Sequence, residues 1–440
     1  MTLNDLTNKK ICLLGLGIEN YALLKFLFKH KVKADITVCD ARAKAELAKR
    51  YGACTHKVTC KLGKKYDKNL DKFDIIFRIA GYPLFTKNII KAMIKGVEIS
   101  SATKLFFALC PTKNIIGVTG TKGKGTTASL IYTILKACLH RQAAGKKVYF
   151  GGNIGTPMFS LMDKIKEGDW VVLELSSFQL EDLQRSPHIA VFTNFFPDHL
   201  AAADPLNPNY HKNLITYWDA KANIFAHQSP RDILIGGEPL QEMIKMSNTK
   251  GKVVYFAKSN LPTKLIGEHN KRNIAAAVLA AQAASVNQVI IEQSVKKFKG
   301  LEHRLEFVAA KNDIRYYNDS FATNPDTAII ALETFKSGSI ILIAGGASKN
   351  SDYQQLAREI QQHVKQAVVL PGKGSQEIMA ALKKIKYNAI TNASDMQQAV
   401  KLAQKIARRG DIILLSPACA SFGIFKNYKE RGKLFKEAVK

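Results

Sequence analysis

The sequence predicts an α/β protein of three domains, each built around a mainly parallel sheet. Apolar segments with strand character alternate with helical patterns through nearly the whole chain, as is typical of parallel α/β folds. The pattern begins anew near residue 112 and again after KGLEHRLEFV at 299–308. A chain of 440 residues is also too long for a single hydrophobic core. We therefore expect domains at 1–105, 106–301 and 302–440.

A glycine turn opens the first domain and predicts a Rossmann-like fold. The strand KKICLLGLG (9–17) runs into GLGIEN (15–20), which has the first two glycines of a dinucleotide-binding fingerprint but Asn20 in place of the third. Asp40 ends the second strand, at the position where an acidic residue would meet a ribose. A nucleotide phosphate can bind at such a helix N-terminus. NAD is one candidate ligand, and a tight turn that binds nothing is the alternative.

The second domain begins with a variant phosphate-binding loop. In NIIGVTGTKGKGTTASL (114–130), Gly120 and Gly123 let backbone N–H groups turn toward phosphate oxygens, and Lys124 supplies a charge for the β- and γ-phosphates. A serine or threonine that holds Mg²⁺ normally follows this lysine, but here Gly125 does. We expect the hydroxyl of Thr126 to reach the cation instead. The motif predicts a P-loop ATPase-like central domain.

Two later strands end in polar residues that could serve the same phosphates. Glu174 lies just past the strand in VVLELSSFQLE, and Asp198 and His199 lie past the next strand, in TNFFPDHL. Parallel strands deliver their C-terminal residues to one edge of the sheet. Glu174 and His199 are therefore candidate magnesium ligands, although either alone would more often be an ordinary surface residue.

Composition limits the choice of partners. The net charge of +29 is compatible with nucleic acid, a membrane surface or anionic substrates. The lysines, however, are spread through segments such as KLGKKYDKNLDK (61–72), and no aromatic-studded RNA motif or zinc finger accompanies them. We interpret the charge as a lysine-rich solvated surface and expect no nucleic-acid partner.

The cysteines and the apolar runs indicate a cytoplasmic protein. The start MTLNDLTNKK lacks the layout of a signal peptide, and no apolar run is long enough to span a bilayer, so we expect no membrane insertion. Scattered cysteines without a C-x-x-C pair are expected to be reduced structural thiols. They are Cys12, Cys39, Cys54, Cys60, Cys110, Cys138 and Cys419.

Taken together, these motifs resemble the Mur ligases, and most closely the MurD type, which adds D-glutamate. The likeness covers nearly the whole chain in order: GLGIEN, TGTKGKGTT, GGNIGTP (151–157), ELSSFQLE (174–181), NFFPDHL (194–200), YWDAKANIF (217–225), GEHNKRNIAAA (267–277), GLEHRLEF (300–307), NDSFATNPD (318–326) and LLSPACASFGIFKNYKERGKLF (414–435). The resemblance implies a Rossmann-like UDP-binding domain, a central ATP-binding domain, and a Rossmann-like C-terminal domain that binds the amino acid and acts as a lid.

The resemblance also implies the reaction. D-glutamate would be joined to UDP-N-acetylmuramoyl-L-alanine through an acyl phosphate, with release of ADP and phosphate, in the cytoplasmic synthesis of peptidoglycan precursors. Neither step needs a protein nucleophile, so catalysis would rest on positioning and on charge neutralisation. The enzyme is expected to be a monomer that uses ATP and two Mg²⁺ ions.

Roles for single residues follow from the matched motifs. Catalytic roles fall on Lys124, His199, Lys221 and Lys349. ATP would be bound by Gly120, Thr121, Lys122, Gly123, Lys124, Gly125, Thr126, Thr127, Asn270, Asn273, Arg304 and Asp319, the two asparagines near the adenine unless they only cap a helix. Metal would be held by Thr126, Glu174, His199 and a carbamylated Lys221. Substrates would be contacted by Ile18, Glu19, Asp40 and Arg42 (uridine diphosphate), Asn153 (sugar), His199, and Thr323, Lys349, Ser421 and Tyr428 (D-glutamate).

Some features depart from the family pattern, and rival interpretations remain open. Besides Gly125, Phe321 replaces a family lysine, and FRIAGYP (77–83) replaces a Ser-Pro-Gly turn. A folylpolyglutamate synthase, also an ATP-dependent glutamate ligase, is favoured only by GKGT. An NAD-dependent oxidoreductase would depend on GLGIEN alone, and a nucleic-acid-stimulated ATPase on the charge of +29.

Overall fold

The computed structural model describes residues 1–52, 58–141, 145–202, 208–247, 249–335 and 337–440. The chain forms two compact units, one of Met1–Leu261 with Arg272–Val295 and the other of Pro262–Lys271 with Lys296–Lys440. Three mainly parallel sheets confirm the predicted α/β class, and the first two lie in the first unit. The domain bounds at 105 and 301 stay predictions.

The first sheet has the strand order β3-β2-β1-β4-β5, all parallel. Its elements are β1 (Lys10–Leu14), α1 (Ile18–Lys29), β2 (Asp35–Asp40), α2 (Lys44–Tyr51), β3 (Thr59–Leu62), β4 (Ile75–Arg78), α3 (Lys87–Ile94), β5 (Glu98–Ser100) and α4 (Ala102–Leu109). The apolar run of β1 is buried at the centre of the sheet. Because the order reverses between β1 and β4, a crevice forms beyond their carboxyl ends, where such sheets bind ligands.

The second sheet has the order β11-β10-β9-β6-β8-β7 and is also parallel throughout. Its strands are β6 (Ile115–Thr119), β7 (Val148–Gly152), β8 (Trp170–Glu174), β9 (Ile189–Phe192), β10 (Ile233–Gly237) and β11 (Lys252–Phe256). The helices of this region are α5 (Lys124–Arg141), α6 (Ser177–Leu180), α7 (Leu214–Ala226), α8 (Gln241–Met246), α9 (Glu268–Ala283) and α10 (Gln288–Lys297). Strand β6 lies between β8 and β9, so the loop after β6 is flanked by the ends of both.

The third sheet, in the second unit, has the order β12-β13-β17-β14-β15-β16. Its strands are β12 (Glu306–Lys311), β13 (Ile314–Asn318), β14 (Ile340–Ala344), β15 (Val364–Val369), β16 (Ile390–Asn392) and β17 (Ile412–Leu415). Its helices are α11 (Pro325–Glu333), α12 (Gln354–His363), α13 (Lys373–Lys384), α14 (Met396–Ile406) and α15 (Tyr428–Val439). Only the edge strand β12 is antiparallel, and buried apolar clusters cover both faces of the sheet.

Short 3₁₀ turns complete the chain, at Asn4–Leu6, Leu70–Lys72, Met158–Ser160, Met162–Lys164 and Glu238–Leu240.

The free cysteines agree with the expectation of reduced thiols. Cys12, Cys39, Cys110 and Cys419 are free thiols, and Cys54 lies outside the described residues. Within the described ranges, no helix combines the length and the apolar character needed to cross a bilayer.

Candidate active site

The phosphate-binding loop joins β6 to α5 and requires glycine at two points. Gly120 has a φ of +140°, and a Cβ there would lie 2.0 Å from Oγ1 of Thr193. Gly123 has a φ of +82°, and its Cβ would lie 2.1 Å from Oδ1 of Asn273. Side chains other than hydrogen fit neither place, so the backbone approaches its neighbours closely. Asn273 is thereby placed beside the loop.

Side chains after β9 hold this loop in shape. Asn194 accepts from the backbone N of Lys122 and donates to its carbonyl, each at 2.8 Å. Thr193 donates to the same carbonyl at 2.7 Å, and the Thr121 hydroxyl accepts from the backbone N of Phe196 at 3.0 Å. The loop is therefore preorganised by contacts with the neighbouring strand end. Sequence reasoning missed Thr193 and Asn194, although their place at the end of an apolar strand was a usable signal.

Two lysine amines meet at one carbonyl of the loop. Nζ of Lys124 donates to the carbonyls of Gly120 and Thr121 at 2.9 and 3.0 Å, and Nζ of Lys221 donates to the Gly120 carbonyl at 2.8 Å. Lys221, on α7, is only 1% exposed, and its Nζ lies 4.8 Å from the centre of the Tyr217 ring. Burial, and after it the charge of Lys124, holds the pKa of Lys221 well below its usual value. Both effects favour the neutral form of the Lys221 amine.

Glu174 ends β8 as a buried carboxylate with spare capacity. Its Oε1 accepts from Nδ2 of Asn153 at 2.8 Å, while Oε2 has no hydrogen-bond partner among the described residues. A buried, unpartnered carboxylate oxygen is costly unless a cation or proton donor satisfies it. Glu174 also lies close enough to Lys221 to act on its charge. These properties fit a metal ligand.

The hydroxyls of the first helical turn differ in burial. Thr126, the predicted ligand, is half-buried, whereas Thr127 is fully buried and its Oγ1 is unpartnered among the described residues. Gly125, which separates Lys124 from Thr126 in the sequence, is buried.

His199 stands at the rim of this group. Its side chain is 46% exposed, with Nε2 at 3.8 Å from Oδ2 of Asp198 and the ring edge-on to Phe178. Its backbone is left-handed, with a φ of +57°. Partial desolvation and the charges of Lys221 and Lys124 lower the pKa of His199, against the effect of Asp198. A neutral ring nitrogen is the form that binds a metal.

A second imidazole, which sequence reasoning missed, lies beside His199. His211 is buried and stacks on Phe178 with ring centres 4.7 Å apart, and its Nε2 lies 2.9 Å from Oγ of Ser177. Its backbone N donates to the carbonyl of His199 at 2.8 Å. Burial and the neighbouring positive charges lower the pKa of His211 to about 4, so the ring is neutral. Its isolated position in NYHKN offered no signal.

A cleft of about 210 Å³ opens at the first glycine turn, lined among others by Gly15, Gly17, Asp40, Arg42, Tyr51 and Tyr82. Asp40 accepts from the Leu16 backbone N at 2.6 Å and from Nε and a terminal nitrogen of Arg42 at 2.9 and 2.7 Å. Against the effect of burial, these hydrogen bonds lower the pKa of Asp40. Three predicted features, the turn, Asp40 and Arg42, thus lie together.

Asn20, where the fingerprint has its third glycine, holds the turn. Its Nδ2 donates to the carbonyls of Gly15 and Phe77, both at 2.9 Å. Of the other residues predicted here, Ile18 is 54% exposed at the start of α1. Glu19 accepts a hydrogen bond from Gln179, and burial raises the pKa of Glu19 to about 7.

A buried arginine, also missed, joins the segment after β4 to the segment after α6. Arg78 is 1% exposed, and it donates to the Tyr82 carbonyl at 2.6 Å. A terminal nitrogen lies 3.2 Å from a carboxylate oxygen of Glu181 and 3.5 Å from one of Asp182. The departure FRIAGYP from the family turn therefore comes with an ionic contact inside the first unit.

The residues expected to bind D-glutamate all lie in the second unit. Nζ of Lys349 lies 3.4 Å from Oγ1 of Thr323. Ser421 is buried, and Tyr428 is half-buried as the first residue of α15. Arg431 ties the loop of Thr323 to the loop of Ser421. Its fully buried guanidinium donates to the carbonyls of Ser320 and Cys419 at 2.9 and 3.1 Å. Arg431 was missed, since nothing in the sequence distinguishes it from an exposed arginine.

Two predicted nucleotide contacts of this unit, Asp319 and Arg304, lie near the end of β13. Asp319 accepts from Ser416 at 2.9 Å and from the Leu305 backbone N at 3.2 Å, and burial raises the pKa of Asp319 to about 7. Arg304 lies over the ring of Phe321. Asn270 donates to the carbonyl of Ile266 at 2.7 Å, within the first turn of α9.

Models of three Mur ligase domains match the chain in order. They are the Mur ligase MurD-like N-terminal domain at residues 9–101, the Mur ligase middle domain at 118–261, and the Mur ligase glutamate ligase domain at 303–419.

Two relatives match over nearly their whole length. The UDP-N-acetylmuramoylalanine–D-glutamate ligase of Acetivibrio thermocellus is 36% identical, with 99% of this chain and 98% of the relative covered. The enzyme of the same name from Clostridium kluyveri is 38% identical, with 98% and 96% covered.

Among solved structures, MurF ligase from Thermotoga maritima in complex with ADP has a TM-score of 0.58 and 14% identity, covering 100% of this chain and 96% of its own. E. coli FolC in complex with DHPP and ADP has a TM-score of 0.55 and 17% identity, covering 77% of this chain and 90% of its own. At such identities these two structures establish the fold alone.

The match to the D-glutamate ligases includes the N-terminal domain, which the folylpolyglutamate synthase interpretation leaves unexplained. The matched domains also cover both glycine turns, whereas the oxidoreductase interpretation uses only the first. Matched at full length by such relatives and in all three parts by the domain models, the chain belongs to the Mur ligase family, among the UDP-N-acetylmuramoylalanine–D-glutamate ligases.

Proposed function

We propose that this chain joins D-glutamate to UDP-N-acetylmuramoyl-L-alanine at the expense of ATP, as a cytoplasmic monomer. The observation that carries the proposal is the convergence of Lys124 and Lys221 on the Gly120 carbonyl, next to the half-satisfied carboxylate of Glu174. Two amines and a spare carboxylate oxygen around a phosphate loop suit the crowded oxygens of a triphosphate beside a carboxylate substrate.

ATP would be held by the loop from Gly120 to Thr127. Its backbone N–H groups and the N-terminus of α5 favour phosphate, and Lys124 would exchange its carbonyl contacts for the β- and γ-phosphates. Asn270 and Asn273 are proposed to meet the adenine, and Arg304 and Asp319 other parts of the nucleotide.

Magnesium fits the residues present. Glu174 supplies an unpartnered oxygen, and Thr126, His199 and Lys221 are proposed as the other ligands. Bound here, the ions would neutralise phosphate charge during transfer. The depressed pKa of Lys221 supports a further step, because a neutral amine adds CO₂ with loss of a proton to become a carbamate, which offers an oxygen ligand.

The chemistry then needs no protein nucleophile. An oxygen of the acceptor carboxylate would attack the γ-phosphorus of ATP. The bond from this phosphorus to the leaving oxygen of ADP would break, which gives an acyl phosphate. The D-glutamate amine would add to that acyl carbon, lose a proton and expel phosphate. The first domain would hold the uridine diphosphate through Ile18, Glu19, Asp40 and Arg42. Asn153 would contact the sugar. Thr323, Lys349, Ser421 and Tyr428 would orient D-glutamate.

Product analysis by mass spectrometry tests the proposal. Incubation with ATP, Mg²⁺, D-glutamate and UDP-N-acetylmuramoyl-L-alanine should give the glutamyl product and ADP, and L-glutamate or a folate acceptor should not replace the substrates. ATP turnover stimulated by polynucleotide alone, without ligated product, would refute it.

Lys221→Ala tests the carbamate. Ligation should fall roughly a hundredfold or more, because a group serving the transferred phosphoryl is lost, and formate or acetate should restore part of it. Lys212, exposed just before α7, provides the matched control as Lys212→Ala. A variant that no short carboxylic acid rescues would leave Lys221 without this role.

A further inference from the structure

Phe321 lies where the family resemblance expects a lysine, and its ring faces a cation. The guanidinium carbon of Arg304 lies 3.7 Å from the centre of the Phe321 ring. This distance is well inside the range of about 6 Å at which the negative face of an aromatic ring attracts a cation. Both side chains are half-buried, which strengthens the attraction relative to a fully solvated pair.

A second aromatic ring also contacts Phe321. Tyr428 packs edge-on against Phe321, with ring centres 5.0 Å apart at 86°. This is the arrangement that aromatic pairs prefer. The Phe321 ring is therefore held by contacts with both Arg304 and Tyr428.

The backbones that carry the pair are also tied together. The N–H of Phe321 donates to the carbonyl of His303 at 3.0 Å, and the N–H of Leu305 donates to Asp319 at 3.2 Å. His303 and Leu305, on either side of Arg304, have φ values of +67° and +43°. Left-handed backbone at two non-glycine residues persists only where surrounding contacts impose it. The hydrogen bonds to Phe321 and Asp319 thus hold the backbone on both sides of Arg304 in a conformation that is unfavourable by itself.

A lysine at 321 would act in the opposite sense. A second cation beside the guanidinium would repel it, whereas the phenyl ring attracts and immobilises it. An arginine already held in place loses less side-chain freedom when it meets an anion.

We propose that Phe321 is a positioning residue, whose ring holds the Arg304 guanidinium ready for the phosphates of the nucleotide. The inference rests on the proposed role of Arg304 in ATP binding. Phe321 itself contacts Arg304 and Tyr428 and needs no contact with ATP.

Direct binding of ATP to the full-length chain, measured by calorimetry without the other substrates, tests the inference. Phe321→Leu keeps apolar bulk but loses the ring face, and should weaken ATP binding roughly 3- to 30-fold. Phe321→Trp, with a stronger ring face, should bind ATP at least as tightly as wild type. Phe307→Leu is the control, since Phe307 is an exposed phenylalanine of the same unit that packs on Tyr317.

The double variant with Arg304→Ala separates positioning from general damage. In that background Phe321→Leu should cause no further loss of ATP binding. Phe321→Leu at wild-type affinity, Phe321→Trp as weak as Phe321→Leu, or an undiminished loss in the Arg304→Ala background would each overturn the inference. Since these measurements need no ligation, a chain that binds ATP but makes no glutamyl product would refute the proposed function and leave this test intact.

Discussion

Two glycine turns in this chain follow the same local plan and are surrounded by different charges. Each turn joins a buried parallel strand to a helix, at Gly15–Gly17 and at Gly120–Gly123. Around the first, Asp40 is neutralised by Arg42. Around the second, the amines of Lys124 and Lys221 share a carbonyl. On the proposed function both turns receive phosphate, and the neighbouring charges decide how much negative charge each can receive.

The turns also differ in what holds them. Asn20 and Asp40 fasten the first turn to its own strand and to the neighbouring strands. Thr193 and Asn194 fasten the second from the end of β9. Similar motifs can therefore be shaped by unrelated side chains, and the fingerprint glycines alone do not reveal the ligand.

The largest effect is expected at Lys124. On the proposed function, Lys124→Ala removes a main charge on the transferred phosphoryl group, so ligation should fall about a thousandfold or more. ADP release coupled to product formation measures it. Lys136→Ala, an exposed lysine later in α5, should leave the rate unchanged. Ligation at the wild-type rate would break the assignment of the second turn to ATP.

Replacing one glycine of each turn by alanine should affect the binding of ATP and of the uridine substrate separately. Gly120→Ala places a Cβ 2.0 Å from Thr193 Oγ1, and about 3 kcal/mol of strain is expected together with loss of ATP binding. Gly15→Ala meets the end of the Ile79 side chain at 2.4 Å, which can move, so its cost should be smaller. Gly15→Ala should raise KM for the uridine substrate and leave KM for ATP near wild type. Equal effects on both constants from either variant would contradict distinct ligands.

Asp40→Asn probes the neutral pair at the first turn. The amide keeps one acceptor but loses the charged contact with Arg42, and leaves the guanidinium without its carboxylate. Unfolding by urea should show a loss of about 2 kcal/mol, and KM should rise for the uridine substrate only. A raised KM for ATP alone would contradict the assignment of the first turn to the uridine substrate.

The smallest effect concerns Glu19. Burial raises its pKa from 4.5 to about 7, so between these values the folded chain binds a proton that the unfolded chain has released. The free energy of unfolding should therefore fall as pH rises through this window and level off above it. Glu19→Gln removes the titration and should gain stability relative to wild type from pH 5 to pH 8. Urea unfolding at several pH values measures this difference, and a constant difference would show that Glu19 does not titrate there.

How much the sequence could predict depends on the range of the contacts involved. Parallel strands place their ends at one edge, which made the grouping of Lys124, Glu174 and His199 predictable. Lys221 followed from the family motif alone, because one lysine among many carries no local signal.

Long-range contacts explain what was missed. Thr193, His211 and Arg431 act through partners far away in the chain, and their residue types occur as often on surfaces. The third glycine of the fingerprint was replaceable because an amide of the right length reaches two carbonyls, a geometry that no sequence spacing specifies.

The buried Arg78 bridges two parts of the first unit. It connects the Tyr82 segment, which lines the cleft at the first glycine turn, with Glu181, which follows the α6 segment bearing Phe178 beside His199. These contacts would help to fix the span from that cleft to the phosphate-binding loop, whichever acceptor enters. On the proposed function, a nucleotide-anchored acceptor brings its carboxylate to the γ-phosphate only if its own length matches that span. An acceptor lengthened by one residue would overshoot, so length joins chemistry as a criterion of selection.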